Sequence, residues 1–172
     1  KHPWEREWSY GWSMMRIGAL LRRHDPALLD EWYLRAGTAL HVDGRRPHRP
    51  EVAEELLGEM GLDPAWVREA IADPTTTDEV RADHDRVLEL GGWGVPTLVF
   101  EGDHALFGPV VIDPPTGDAA VRLWELVTGW IEFPHLYELQ RPKRPDDIAA
   151  IATAFRPYLE ARAWVSIQNE TP

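Results

Sequence analysis

Chemistry in this chain has to come from side chains other than cysteine, because none of its 172 residues is a cysteine. The seven histidines show neither an HExxH motif nor another zinc-like spacing, so no metal site is predicted. The sequence also contains no glycine-rich phosphate loop and no GxSxG elbow, the motifs typical of nucleotide-binding proteins and serine hydrolases. Nine tryptophans are more than usual, and such flat side chains can line a pocket for an apolar ligand as well as fill a core.

The stretch Gly94-Val95-Pro96-Thr97 places a proline at the start of an apolar, strand-like run. Proline cannot donate a ladder hydrogen bond in a sheet. From the residues alone, the simplest interpretation is that Pro96 follows an ordinary trans peptide bond and lies at the first residue of an edge strand.

The formal net charge of −11 limits the classes of partner. It argues against a nucleic-acid partner, since nothing offsets the repulsion from phosphates, and it disfavours an anionic membrane surface. No apolar run approaches the roughly 18 residues of a membrane-spanning helix. The basic loop Arg45–Arg49 could attract an anionic ligand, but a solvated loop is the simpler interpretation.

Most of the elements that must position these residues are predicted to be helices. Apolar residues three or four apart predict an amphipathic helix over 4–23. Asp25-Pro26 is typical of an N-cap followed by a first helical turn. Further helices are predicted from there to near Gly44, over 52–61, in two segments after Asp63-Pro64 and Asp73-Pro74 (the second about 76–90), and over 117–131 and 146–163.

Between the helix predicted at about 76–90 and the helix predicted over 117–131, the residue pattern is that of a β-hairpin. Thr97–Glu101 and Ala105–Ile112 are predicted strands, joined by the turn Gly102-Asp103. Two strands do not make a stable sheet alone, and nothing upstream within the chain supplies others. The missing strands are therefore expected before Lys1.

These elements, in this order, resemble the C-terminal half of a thioredoxin fold, preceded by helices similar to the insertion of the DsbA-like branch. Within that branch the chain resembles the actinobacterial mycothiol-dependent nitroreductase group, which is related to FrnE-like enzymes and kappa-class glutathione transferases. The resemblance covers roughly residues 8–145. Its matching segments are Ala39–Gly44, Gly94–Thr97, Phe107–Val110, the helix with Leu123-Trp124, and Phe133–Leu139.

The resemblance implies an α/β, thioredoxin-like fold of the DsbA type with a large helical insertion. Within the chain it implies a helical insertion domain over 1–92, the C-terminal part of the thioredoxin fold over 93–140, and a helical extension over 141–172. The N-terminal βαβ unit, which carries the Cys-x-x-Cys motif of the family, is expected upstream of Lys1. There the helix N-terminus lowers the pKa of the first thiol and supplies the reactive thiolate.

The resemblance also implies a binding role for the segment that opens the first strand. It implies a cis peptide bond between Val95 and Pro96, so that the backbone faces the redox dithiol and pairs with an incoming thiol-bearing chain. Val95, Pro96 and Thr97 are the residues expected at this contact.

His41 and several aromatic residues are the remaining candidates. The resemblance places His41 on the groove, where it could hydrogen-bond the thiol cosubstrate or assist proton transfer, whereas the alternative is a histidine that interacts with a helix C-terminus. Trp93, Trp12 and Tyr10 could contact an apolar or nitroaromatic substrate, with core packing as the alternative. Phe107, on the second strand, is predicted to be a core residue.

The activity that the resemblance implies is thiol–disulfide oxidoreduction by a cytoplasmic, mycothiol-dependent reductase, with mycothiol as cosubstrate and no bound cofactor. Its substrates would be small disulfides or nitroaromatic compounds, and a homodimer is compatible with it. Two alternatives remain open. One is a kappa-class-like thiol transferase or isomerase with serine in place of the first cysteine; the other is a cysteine-free interaction protein that retains the groove.

Overall fold

The computed structural model describes residue 8 and residues 10–162. Its elements are α1 (Tyr10–His24), α2 (Pro26–His41), α3 (Pro50–Glu59), α4 (Trp66–Ala72), α5 (Pro74–Glu89), β1 (Thr97–Phe100), β2 (His104–Phe107), α6 (Asp118–Gly129), a short 3-10 helix (Trp130–Glu132) and α7 (Pro145–Arg162). The chain is thus a mixed structure of helices and a two-stranded sheet, roughly α/β. Part of the helix predicted over 4–23, namely positions 4–7 and 9, lies outside the described residues.

The described residues divide into two compact units, one formed by 84–152 and the other by the rest. The division falls inside α5 and again inside α7. One unit therefore contains α1 to α4, and the other contains the hairpin and α6.

The helical unit starts from two helices joined by a sharp turn. Asp25 caps α2, since its carboxylate accepts a hydrogen bond from the Ala27 N–H at 2.9 Å, and Pro26 occupies the first turn. Gly18 lets α1 and α2 approach closely, because a Cβ there would lie 2.9 Å from Leu29 Cδ1. The Trp32 indole N–H donates to the carbonyl of Met14 at 3.0 Å, which fixes the two helices against each other.

The apolar faces of the first four helices meet in one core. Its side chains include the fully buried Ile17, Leu21, Leu56, Leu57 and Val67. Burying a large aliphatic side chain contributes about 1.5–3 kcal/mol, so this cluster supplies most of the apolar stabilisation of the unit.

A buried arginine joins α1 to the α4–α5 junction. Arg16 is 6% exposed, and its guanidinium donates to the carbonyls of Ala70, Ile71 and Asp73 and to the hydroxyl of Thr76. These carbonyls belong to the end of α4, where helical carbonyls have no partner within their own helix. Burial lowers the pKa of the Arg16 guanidinium from its usual value, since the charged form loses water.

A network of charges lies beside this contact, between the end of α1 and the start of α5. Arg23 pairs with Asp73 and Glu79, both at 2.6 Å, and Arg22 pairs with Glu79 and Asp83. Hydrogen bonds from Thr75, and then from Arg23, lower the pKa of the Asp73 carboxyl to about 2.

In the other unit the predicted hairpin is confirmed as an antiparallel pair, with Thr97 opposite Phe107 and Phe100 opposite His104. The loop between the strands contains Gly102 and Asp103, both with positive φ. The prediction that the second strand continues to Ile112 is wrong, because β2 ends at Phe107. Gly108, with φ 114°, turns the backbone away from the ladder, and Pro109 has no N–H to donate.

The long helix predicted after the hairpin is present as α6 followed by the 3-10 turn. The ring of Trp124 lies 5.9 Å from that of Phe100, so α6 contacts the hairpin through an aromatic pair. No residue of α6 is buried, and Val121 and Leu126 are more than half exposed. Among the described residues, no helix is long and apolar enough to cross a membrane.

We expect Arg16→Met to lower the free energy of unfolding by about 1–3 kcal/mol, because it leaves the Ile71 carbonyl without a donor and removes the donor to the Thr76 hydroxyl. Urea denaturation measures the change. Arg68→Met is the control: the Arg68 side chain is 83% exposed and pairs with Glu54, so its loss should cost no more than about 1 kcal/mol. Equal effects of the two substitutions would contradict the assigned role of Arg16.

Asp73→Asn should destabilise the protein at pH 5, and its deficit relative to wild type should shrink as the pH falls toward 2. The folded carboxyl has its pKa lowered to about 2, from a usual value of 3.8, so its stabilising contribution is present above pH 3.8 and is lost progressively as the pH falls from 3.8 to about 2. Thermal denaturation between pH 5 and pH 2 tests this. Asp78→Asn, an exposed position on α5, controls for the change of net charge. A deficit that is independent of pH would disprove the linkage.

Candidate active-site groove

The segment that joins α5 to β1 is fixed by two consecutive glycines. Gly91 ends α5 with φ 79°, a conformation that favours glycine. The Gly92 N–H donates to the Val87 carbonyl at 2.8 Å. A Cβ on Gly92 would lie 2.9 Å from that same carbonyl oxygen, so the chain passes too close to α5 for any side chain. These contacts fix the position of Gly92 against α5, and the segment from Trp93 to Thr97 continues from that point.

The backbone at Val95 and Pro96 is presented to solvent. The peptide bond between them is cis, and Val95 is 89% exposed. Within the described part of the chain, no group hydrogen-bonds the N–H or C=O of Val95. The Pro96 carbonyl accepts from the Gly108 N–H at 2.9 Å, and the Thr97 hydroxyl donates to the Gly94 carbonyl at 2.5 Å. The loop is therefore held on both sides of Val95 while Val95 itself keeps its hydrogen-bonding groups available.

An aromatic pair stands next to this backbone. Trp93 is 74% exposed and stacks on Phe107, with ring centroids 4.1 Å apart and planes inclined by 26°. The prediction that Phe107 is a core residue is wrong, since 42% of it is exposed. Its position on β2, opposite Thr97, directs it to the ring of Trp93 and to the backbone of Gly94.

The other predicted site residues belong to the helical unit. His41 is the last residue of α2 and is exposed. Trp12 is 9% exposed and packs with Ala19 and Val80, which is the environment of a core residue. Tyr10 begins α1, and its side chain lies outside the described part of the structure.

A shallow cleft of about 270 Å³ lies in the same unit, lined by Leu34, Arg35, Thr38, Ala39, Asp43, Arg45, Leu56 and Glu59. Both of its arginines are paired: Arg45 with Glu59 at 3.0 Å and Glu55 at 3.1 Å, and Arg35 with Glu31 at 2.8 Å. Over the described ranges, no group of three or more histidine, aspartate or glutamate side chains could hold a metal ion.

What this arrangement can do chemically follows from its groups. The segment from Trp93 to Thr97 carries no charged side chain, so recognition there depends on backbone hydrogen bonds and on apolar surface. Such a surface can orient an extended, thiol-bearing molecule or a flat ring. It contains no nucleophile and no redox-active group.

Residues 2–141 match the family described as Rv2466c-like, mycothiol-dependent nitroreductase Rv2466c. This chain belongs to that family. It is also 59% identical over 169 residues to the uncharacterized protein Rv2286c of Mycobacterium tuberculosis (strain ATCC 25618 / H37Rv), a match that covers 98% of this chain and 73% of the relative. Membership of the mycothiol-dependent nitroreductase family implies mycothiol-dependent reductase activity, a small-molecule thiol as cosubstrate, and an actinobacterial origin. The family is related to thioredoxin-fold proteins, which agrees with the predicted fold class at this level.

Sequence reasoning proposed the Val95-Pro96 segment and Trp93 as site residues, and it did not predict that Phe107 stacks on Trp93. A signal was present, because Phe107 directly precedes Gly108-Pro109, where a strand has to end. A residue at a strand end packs against whatever flanks the neighbouring strand, and here that is the turn containing Trp93 and Gly94.

Gly92→Ala should lower the free energy of unfolding by about 1–3 kcal/mol, because the new methyl group meets the Val87 side chain and carbonyl. It should also shift backbone amide resonances in Trp93 to Thr97 in an NMR spectrum. Gly129→Ala is the control in the same unit, since a Cβ there meets no atom within 4 Å and alanine in a helix should leave stability equal or raise it by up to about 1 kcal/mol. If both variants behave alike, the contact with Val87 does not fix the loop.

Proposed function

We propose that these residues form the thiol- and substrate-binding part of a mycothiol-dependent reductase whose redox dithiol lies upstream of Lys1. The observation that carries this proposal is the family match over residues 2–141 in a chain without cysteine. Thiol–disulfide exchange requires an attacking thiolate, and neither serine nor histidine can form the mixed disulfide. About a quarter of the Mycobacterium tuberculosis relative lies outside the match, which leaves room for a dithiol segment.

The proposal assigns the predicted domains to this scheme. Residues 1–92 are the helical insertion of a DsbA-like thioredoxin fold, 93–140 its C-terminal part, and 141–172 a helical extension. An upstream βαβ unit brings the Cys-x-x-Cys motif. The low-molecular-weight thiols of the cytoplasm keep such a dithiol reduced, so we place the protein there.

Val95, Pro96 and Thr97 bind the incoming thiol-bearing molecule in this scheme. The N–H and C=O of Val95 can pair with an extended backbone or amide, as in recognition by strand addition. What supports this role is the exposure of Val95 and the hydrogen bonds that hold Gly94 and Pro96 on either side of it. Backbone pairing orients a thiol for attack without any charged side chain.

His41 is proposed to hydrogen-bond the cosubstrate thiol or to transfer its proton. His41 is the last residue of α2 and its side chain is exposed, so its ring nitrogens are accessible to a thiol bound beside the end of that helix. Trp93 contacts the substrate, whereas the burial of Trp12 favours packing as its role. Tyr10 remains a proposed substrate contact on the basis of the resemblance.

Two thiols supply the electrons and protons that each two-electron reduction of a nitro group requires. When a nitro compound is the substrate, two thiols give up two electrons and two protons and become a disulfide, while the nitro group becomes a nitroso group and one water is released. A second pair of thiols, from mycothiol, then reduces the protein disulfide and leaves as mycothiol disulfide.

A second candidate function is a cysteine-free interaction protein, and one observation favours it. The hairpin unit exposes large apolar residues, including Val95, Val110 and Leu139, each at least 74% exposed, which is typical of a binding surface. The residues before Lys1 discriminate between the functions: Cys-x-x-Cys supports the reductase, serine in place of the first cysteine supports a kappa-like transferase, and neither supports the interaction protein.

We expect the protein that contains the proposed upstream segment to reduce a disulfide probe or a nitroaromatic probe with mycothiol as the reductant. Residues 1–172 alone should show no thiol-dependent turnover. The reason is that the shorter chain has no thiolate. Stopped-flow measurement of mycothiol oxidation checks both. Full turnover by the cysteine-free chain would refute the redox mechanism.

Within the active protein, His41→Ala should lower kcat by about 100-fold or more, the size of a lost proton-transfer group, while leaving thermal stability unchanged. His84→Ala is the control, since His84 is also an exposed helical histidine and has no role in the scheme. If both alanine variants keep the wild-type rate, His41 does not assist the reaction.

A further inference from the structure

We propose that Arg46 and Arg49, at the two ends of a turn between α2 and α3, bind the phosphoryl group of a small phosphate monoester. The site belongs to the helical unit and does not depend on the proposed reductase function, because only contacts within that unit support it. From the sequence, a solvated loop is the simpler interpretation of Arg45–Arg49. The structure adds that the turn is fixed, and that two of its three arginines have no partner among the described residues.

The turn is held by its own backbone and by contacts at both of its central residues. The Arg49 N–H donates to the Arg46 carbonyl at 2.8 Å, which closes a β-turn. Of the two central residues, Pro47 is fully buried, and the carbonyl of His48 accepts a hydrogen bond from the Trp8 indole N–H. The first and last Cα atoms of a β-turn are less than about 7 Å apart. The two arginine side chains therefore start from neighbouring points of a fixed backbone.

The three arginines of this loop differ in their partners. Arg45 pairs with Glu59 at 3.0 Å and with Glu55 at 3.1 Å, so carboxylates already balance its charge. Within the part of the chain that the structure describes, the guanidinium groups of Arg46 and Arg49 have neither a hydrogen bond nor an ion pair. Other arginines of the helical unit do have partners, namely Arg16, Arg22, Arg23, Arg35 and Arg68.

The environment of this pair is unfavourable in the absence of an anion. Arg46 is half-buried, whereas Arg49 is exposed. A cation that is partly withdrawn from water without a counter-charge is costly, and the repulsion of a second cation beside it adds to that cost. None of the nitrogens of Arg46 is fully buried, so an anion in solution can reach them. A bound anion would offset both costs.

The charge of the pair suits a dianion. A guanidinium presents a planar fork of N–H donors that matches the oxygens of a phosphate, and two of them carry a charge of about +2. A phosphate monoester carries a charge of about −1.5 to −2 at neutral pH, whereas a carboxylate or a phosphodiester has a single charge that one arginine can balance. The net charge of −11 disfavours polymers and surfaces that carry many phosphates, which leaves a small ligand.

The carboxylates of α3 leave the two arginines available. Glu51 is the nearest of them in sequence, and it is exposed and pairs with neither arginine. Glu54 and Glu55 are paired with Arg68 and Arg45. The competing occupant is an acidic segment of the full-length protein that covers the turn, and this covered state is one outcome of the binding experiment.

The test is calorimetric titration of the full-length protein with methyl phosphate, at neutral pH and low ionic strength. Methyl phosphate should bind saturably, and dimethyl phosphate, which is singly charged, should bind about 10-fold more weakly or less. The side-chain Nε–Hε resonances of Arg46 and Arg49 should shift with methyl phosphate in NMR spectra, whereas that of Arg68 should not. A turn covered by another segment would give no saturable binding. That result, or equal binding of the two phosphates, would overturn the site.

Substitutions then show whether the two arginines bind the ligand directly. Arg46→Gln and Arg49→Gln should each weaken methyl phosphate binding about 10- to 100-fold, the range for a lost charge-assisted hydrogen bond. Arg68→Gln removes the same charge from a position that is 83% exposed, and it should change the affinity less than about 2-fold. Arg46→Lys keeps the charge without the planar fork, so it should also weaken binding. Equal effects of all three glutamine variants would indicate a general electrostatic attraction and contradict the site.

A phosphate monoester can also belong to a lipid headgroup, and vesicles distinguish this source from a soluble ligand. Vesicles that contain phosphatidic acid should not sediment the full-length protein, because its net charge opposes an anionic surface. Vesicle binding that Arg46→Gln abolishes, without binding of methyl phosphate, would assign the two arginines to a membrane and overturn the small-molecule site.

Discussion

The helical unit depends on one buried guanidinium. From the middle of α1, Arg16 donates to the carbonyls of Ala70, Ile71 and Asp73 at the end of α4, and Thr76 donates to two of the same carbonyls. A buried cation is costly to desolvate, and the carbonyl dipoles and the Thr76 hydroxyl offset that cost. The surface charges of Arg22 and Arg23 reinforce the same junction from outside.

The hairpin unit, unlike the helical unit, is held by contacts between partly exposed aromatic side chains. It has a two-stranded sheet and a helix with no buried residue, and its aromatic residues contact one another in pairs, Trp93 with Phe107 and Phe100 with Trp124. Pairs of this kind fix local geometry while leaving apolar surface open to solvent. That surface, together with the exposed backbone of Val95, is where the binding chemistry of a mycothiol-dependent reductase family is proposed to occur. In the proposed function, the aromatic pairs hold the hairpin unit in shape while the exposed apolar surface and the Val95 backbone remain accessible to a ligand.

The proposal that this chain binds the thiol while another segment carries out the redox step follows from the amino-acid composition. A chain without cysteine can bind and orient a thiol through backbone groups and aromatic rings, but it cannot exchange electrons with one. The family relationship brings mycothiol into the scheme, and the turn from Trp93 to Thr97 offers uncharged contacts that suit a neutral cosubstrate and a neutral ring.

The sequence by itself determined the local elements and the family. Asp25-Pro26, Gly91-Gly92 and Gly102-Asp103 mark boundaries through capping and positive φ, which are properties of single residues, and they appear in the structure close to where they were predicted. The order of several segments, Gly94–Thr97 and Phe107–Val110 among them, likewise indicated the family from the sequence alone. The end of β2 at Phe107, the burial of Trp12, and the stacking of Trp93 on Phe107 were decided only by the tertiary structure. The reason is that each depends on contacts between residues distant in sequence: the same aromatic side chain is a core residue or a binding surface according to which neighbours cover it, and periodicity does not specify those neighbours.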